Sequence, residues 1–184
     1  MAREDVYVIH AKKLYQASRP REAGTCCHSP LKEKSVASVA TFGAWQFTCD
    51  RQATVDAYAR EAACNSAQCT CAGCRNFVAA RFDVFPQAFV TLLESLGIDP
   101  TKDGEVYHNG RLCPGKHHYG GWFHFIGTLD VTGDLQPMQF GDSFSVYFRS
   151  KSAPCLSALK DLPLVQVEFT ASAVPWCLTE PELD

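Results

Sequence analysis

The chain has 184 residues, 46% of them hydrophobic and 20% charged, with a formal net charge of −3. A domain of this size buries roughly 70% of its unfolded surface, enough for a sizeable core. No window approaches the roughly 20 apolar residues of a membrane-spanning helix, so no membrane partner is expected.

The N-terminal apolar run, Val6 to Ile9, is too short for the apolar stretch of a secretory leader. The chain therefore reads as cytoplasmic. In a reducing compartment its ten cysteines are expected to stay reduced unless they bind metal or do redox work. Charge is uneven, at +3 over residues 1–35 and −6 over residues 36–184. An acidic main domain lacks the basic footprint that neutralises phosphates, so nucleic acid is not an expected partner.

Residues 1–35 mix Lys, Arg, Glu, Ser and Pro without a sustained period and read as a loosely ordered extension. Cys26-Cys27-His28 within it is in reach of a metal but is read as incidental. Residues 36–184 read as one domain. From Ala44 to Asp50, Trp45, Phe47 and Cys49 alternate with Gln46, Thr48 and Asp50, the pattern of a half-buried strand. Ala53–Ala59 is either its hairpin partner or a short helix starting at Thr54, and local pattern does not decide. A helix over about 75–83 is expected to set Val78, Phe82 and Phe85 on one side. A second helix opens at Pro86, with Phe89, Leu92, Leu93 and Leu96 as its apolar stripe. Gly97 is its expected left-handed cap, with Ile98 folding back and Pro100 blocking continuation. Further strands follow: Glu105–His108 and Arg111–Cys113 about an Asn109-Gly110 hairpin, then His117–Leu129, Ser143–Arg149 and Leu164–Ala171. Turns fall at Gly133-Asp134 and Gly141-Asp142. Helices followed by clustered strands imply an α+β fold: an antiparallel sheet of about five to seven strands with two main helices packed on one face. Leu93 and Trp122 are expected to join the main helix to the sheet.

The segment Cys64-Asn-Ser-Ala-Gln-Cys69-Thr-Cys71-Ala-Gly-Cys74 holds four cysteines in eleven residues. Cys71-x-x-Cys74 is the spacing at which two thiolates chelate one ion, with Gly73 allowing the tight turn. Cys69 and Cys64 are the nearest further ligands, and zinc is the candidate cofactor. A reactive thiol pair and unligated reduced cysteines are the competing readings. Cys49, Cys155 and Cys177 sit in or near apolar segments and read as small core fillers.

The run Cys69-x-Cys71-x-x-Cys74-Arg75-Asn76-Phe77 resembles the C-x-C-x-x-C-R-N-[FY] signature of a family of small uncharacterised bacterial proteins. Gly43-Ala-Trp-Gln-Phe-Thr48, Tyr119-Gly-Gly-Trp-Phe-His-Phe-Ile-Gly127 and Val174-Pro-Trp-Cys-Leu178 fit the same likeness. It spans roughly residues 40–180, leaves Cys64, Cys113 and Cys177 outside its pattern, and implies no established activity. Cys71-Ala-Gly-Cys74 opening a helix is also similar to the C-x-x-C of thioredoxin-like oxidoreductases, where the helix N-terminus stabilises the first thiolate. That motif follows an apolar strand, whereas Ala62–Thr70 is too polar to be one. A facing proline loop has only Val174-Pro175 as a candidate.

Strand alternation puts His118, Trp122 and His124 on one face, and His117, Tyr119, Phe123 and Phe125 on the other. Gly120-Gly121 points to a bulge or to a close approach of backbone or ligand. His118 and His124 are candidate ligand-binding residues, set against plain surface or structural histidines. Arg75 and Asn76 are the remaining candidates. Arg75 is placed to pair with a carboxylate or donate to carbonyls of the turn, and Asn76 to cap the following helix. Nucleophile-elbow, phosphate-loop and zinc-protease signatures are absent. The expectation is a non-enzymatic domain binding a small molecule or protein, its cysteine turn a zinc site. The alternative is a thiol- or metal-dependent enzyme using Cys71 and Cys74.

Overall fold

A computed structural model of the chain describes residues 37–63, 65–130, 135–150 and 156–184. The expected extension over 1–35, the Gly133-Asp134 turn, Cys155 and Cys64 lie outside these residues. The described elements are β1 (Ser38–Phe42), β2 (Trp45–Cys49), α1 (Arg51–Arg60), α2 (Asn65–Gln68), α3 (Ala72–Val84) and α4 (Gln87–Ser95). They continue with β3 (Glu105–Cys113), β4 (Lys116–Leu129), β5 (Met138–Gln139), β6 (Phe144–Ser150) and β7 (Leu164–Pro175). The architecture is α+β: seven strands, every pair antiparallel, in the order β1-β2-β4-β7-β6-β5 with β3 added to β4.

The core lies on one sheet face. Phe123 and Phe125 of β4, Val167 and Phe169 of β7, and Phe144 and Phe148 of β6 meet Phe77 of α3 and Phe89, Leu92 and Leu93 of α4. Phe77 stacks on Phe169 at 5.7 Å between ring centroids, and Phe89 meets Phe144 at 4.9 Å. The α4 stripe is buried as its spacing predicts. Its end is a Schellman motif, with Ile98 N donating to Leu93 O and Gly97 N to Glu94 O, and Gly97 at φ 81°.

Ala53–Ala59 is helical, because Asp50 caps α1 by accepting from Ala53 N at 3.0 Å. This helix has a role that no apolar stripe announces. On the edge of β4 away from β7, β3 pairs as far as Trp122 and β2 begins at Gly127. The intervening backbone is met by α1. Tyr58 Oη donates to His124 O at 2.9 Å and accepts from His124 N at 3.2 Å, while Ile126 N donates to Thr54 Oγ1 at 3.0 Å. Asp50 N completes the set on Ile126 O. Two hydroxyls one helical turn apart thus stand in for a missing strand.

Three expectations need correction, and of the two readings of Gly120-Gly121 the close approach of backbone holds. β3 runs unbroken through Asn109-Gly110, which forms a bulge opposite His118 and Tyr119, and the β3–β4 hairpin closes instead at Pro114-Gly115. Phe82 is 64% exposed, because α3 starts at Ala72 and rotates Gly73, Phe77 and Ala80 inward. Trp122 faces away from the helices, packing beside Tyr107 at 5.9 Å and against Gly104. Gly120 and Gly121 pair regularly with β3 and β7 and mark close approach: a Cβ on Gly121 would stand 2.6 Å from Glu105 O.

Candidate metal centre

The cysteine turn is held from below by a buried ion pair. Asp103 is fully buried and takes Ser66 Oγ at 2.6 Å and Ser66 N at 3.0 Å, which fixes α2 directly ahead of the turn. Arg81 of α3 reaches the same carboxylate at 3.3 Å and Thr101 O at 2.7 Å. Both charges are partnered, as buried charges must be to avoid a large desolvation cost.

From α2 the chain turns into α3 through Cys69, Thr70 and Cys71. Cys71 is the N-cap of α3, its Sγ accepting from Cys74 N at 3.4 Å. Cys69 Sγ lies 3.3 Å from Cys71 Sγ, and the sulfurs of Cys69, Cys71 and Cys74 are all within 4.8 Å of one another. The N–H of Cys74 and the neighbouring Cys69 thiol hold the exposed Cys71 thiol below its usual range. Partial burial, with the adjacent Cys69 and Cys71 thiols, pushes Cys74 the other way. Tetrahedral zinc–sulfur bonds of about 2.3 Å set sulfurs about 3.7 Å apart, and the three thiols stand near enough to one another to come within reach of one ion.

Arg75 does both things expected of it, reaching Glu180 at 2.6 Å and Thr70 O at 3.1 Å. Asn76 does not cap the helix. It is fully buried inside α3, where its Nδ2 donates to Pro175 O at 3.0 Å and Tyr119 Oη at 3.3 Å, while its Oδ1 accepts from Cys177 N at 2.7 Å. It ties the segment after β7 to the helix that carries the thiols. Cys177 is exposed, not a core filler. Cys49 does fill the core, and burial raises its thiol to about 12.

Neither of the two histidines singled out in the sequence joins the group of turn sulfurs, and they are far from each other in space. Six residues apart on one strand, they are separated by about 20 Å. His124 is fully buried and pairs with Gln166 Oε1 at 3.2 Å. His118 lies half-buried opposite Gly110. A metal shared between them is ruled out by that separation.

The histidines beside the turn are others. His108 of β3 packs on Gly73, where an added Cβ would stand 3.2 Å from His108 Cβ. Its Nε2 lies 2.9 Å from Nδ1 of the fully buried His117, and its ring is 4.9 Å from that of Tyr119, whose Oη donates to Gly73 O at 3.1 Å. His117 Nε2 points to Glu182 Oε2 at 3.5 Å. The available signal was His117 sharing the apolar face with Tyr119 and Phe123.

No protein-family model matches the chain, and no curated protein or solved structure matches it. Among the described residues, no helix is long and apolar enough to cross a membrane.

Proposed function

We propose that this chain is a non-enzymatic metal-binding domain in which Cys69, Cys71 and Cys74 hold a zinc ion that orders the turn, next to a surface for a small ligand or protein partner. The observation that carries this reading is the convergence of three thiols within 4.8 Å on a turn pinned by buried groups. Thiolates so placed repel one another and lose hydration, and a soft cation removes both penalties. The likeness to small bacterial proteins sharing C-x-C-x-x-C-R-N-[FY] adds no activity. Arg75 and its partner Glu180 line the same surface and are the polar groups a ligand there would meet.

The test is thermal. Chelator is expected to lower the melting temperature, Cys74→Ser to lower it as far, and the two together to do no more, since both remove one interaction. An unchanged melting temperature in chelator would defeat the reading.

One observation favours a second reading, a thiol-dependent enzyme. Cys71 is exposed with a lowered thiol, while Cys74 is half-buried with a raised one, the asymmetry of an attacking and a resolving cysteine. A metal-free purified protein in which Cys71 alone is rapidly alkylated would support that reading over zinc.

A further inference from the structure

The sheet face turned away from α3 and α4 carries a second set of organised polar groups. Strand register sets them side by side: Trp122 of β4, Glu168 of β7 and Tyr147 of β6 form one row, and Gly120, Thr170 and Ser145 the next. Glu168 is locked from two sides. Its Oε1 accepts from Gln166 Nε2 at 2.7 Å and its Oε2 from Arg149 Nε at 2.8 Å, and Gln166 Oε1 lies 3.2 Å from Nε2 of the buried His124. Gln166 is 3% exposed, so this carboxylate is tied into a buried network. Arg149 is held as firmly. Its guanidinium lies over the Tyr147 ring, 4.7 Å from the centroid, and Trp45 packs on that ring in a T-shaped contact at 4.7 Å. Its Nε is taken by Glu168, and Nη1 and Nη2 have no hydrogen-bond partner among the described residues. A planar guanidinium fixed on two sides, with its outer fork open, is a preorganised pair of donors.

Beside this pair is a cavity of about 280 Å³ lined by Pro137, Ser145, Tyr147, Arg149, Glu168 and Thr170. Ligand pockets start at about 300 Å³, so the ligand is small. Towards β3 the border is Tyr107. A Cβ on Gly120 would stand 2.5 Å from the Tyr107 ring tip, so the missing side chain lets that ring lie over Gly120, whose other neighbour in register is Thr170. Charge selects the chemistry. An anion would meet Glu168 and a cation would meet Arg149, so the pair favours a ligand without net charge. Each Glu168 oxygen keeps one lone pair free, and two adjacent hydroxyls satisfy the pair at once, one donating to Glu168 and the other accepting from the Arg149 fork. The Tyr107 ring, 43% exposed, offers an apolar surface to C–H groups. We propose that this cavity binds a neutral saccharide unit, with Glu168 and Arg149 on its hydroxyls and Tyr107 against its carbon face. The site is separate from the cysteine turn and does not depend on zinc there.

The experiment is titration of the full chain with glucose, galactose and N-acetylglucosamine, read by backbone-amide NMR, with glucuronate and glucosamine as charged probes. Saturable shifts centred on Gly120, Ser145 to Arg149 and Glu168 to Thr170 are expected with at least one neutral sugar, and weaker binding of both charged probes. Arg149→Lys keeps the charge and loses the fork, and Glu168→Gln keeps the shape and loses the charge; each is expected to weaken binding about tenfold. Arg149 is exposed, so its variant is expected to keep the melting temperature of the unaltered chain and to report on the site alone. Gly120→Ala, which displaces Tyr107, is expected to weaken binding as well. No saturable shift with any of the three neutral sugars, binding that survives Arg149→Lys and Glu168→Gln unchanged, or tighter binding of glucuronate than of glucose would each overturn the proposal.

Discussion

Tyr58→Phe removes one oxygen atom and isolates the role of α1 as a substitute strand. The phenol is 2% exposed and serves both backbone groups of His124, donating to its carbonyl at 2.9 Å and accepting from its N–H at 3.2 Å. The ring stays in place, so the apolar packing is retained. What is lost is the partner of two buried backbone groups, each costing about 1–3 kcal/mol when left unsatisfied. A total of about 2–4 kcal/mol follows, or a fall of roughly 5–15 °C in the melting temperature for a domain of this size. Thr54→Val is the internal control. It strands only Ile126 N, because Asp50 O keeps Thr54 N as a donor, and is expected to cost about 1–2 kcal/mol. Urea unfolding of the three proteins measures the order. A cost below about 1 kcal/mol for Tyr58→Phe, or a larger one for Thr54→Val, would refute the edge-capping role.

Two adjacent glycines separate backbone from side-chain crowding. Gly121→Ala drives a methyl to 2.6 Å from Glu105 O, whereas the nearest atoms to a methyl on Gly120 belong to the Tyr107 ring tip, and Tyr107 is 43% exposed with room to swing away; the first is expected to cost more in urea unfolding, and the reverse order would contradict the packing of β3 on β4. Cys71 ionises below the usual thiol range, so in chelator-stripped protein its alkylation is expected to persist to lower pH than that of a cysteine in an unstructured peptide. Mass-spectrometric rate profiles test this, and coincident profiles would contradict it. Cys49, raised to about 12 by burial, should stay unmodified in the native protein.

The parts of the fold legible in the sequence are those where one local signal and the tertiary context agree. Between Pro86 and Gly97, apolar stripe, start and stop signals all mark one helix, and it forms. The alternation of Trp45, Phe47 and Cys49 survives unchanged in β2. α1 stayed ambiguous because its inward face carries Thr54 and Tyr58, chosen for hydroxyls and not for apolar surface. Asn109-Gly110 misleads because positive φ serves a bulge as well as a turn, and Gly110 at φ 131° is used for the bulge.

The site divides in the same way. Cysteine density alone marks the turn, since residues so close in sequence stay close in space. Asn76 as a buried tether, and the close pair of His108 and His117, depend on contacts between residues 9 to 101 positions apart. Spacing carries no trace of these. His118 and His124 attracted notice through a shared face, but one strand's length keeps them apart.

The most direct measurement is the zinc content of the purified full chain beside that of a Cys69→Ser, Cys71→Ser, Cys74→Ser variant, after exchange against a weak chelator. One zinc per chain in the unaltered protein and none in the variant is the expected result. Equal metal content in the two proteins would contradict a metal centre on this turn.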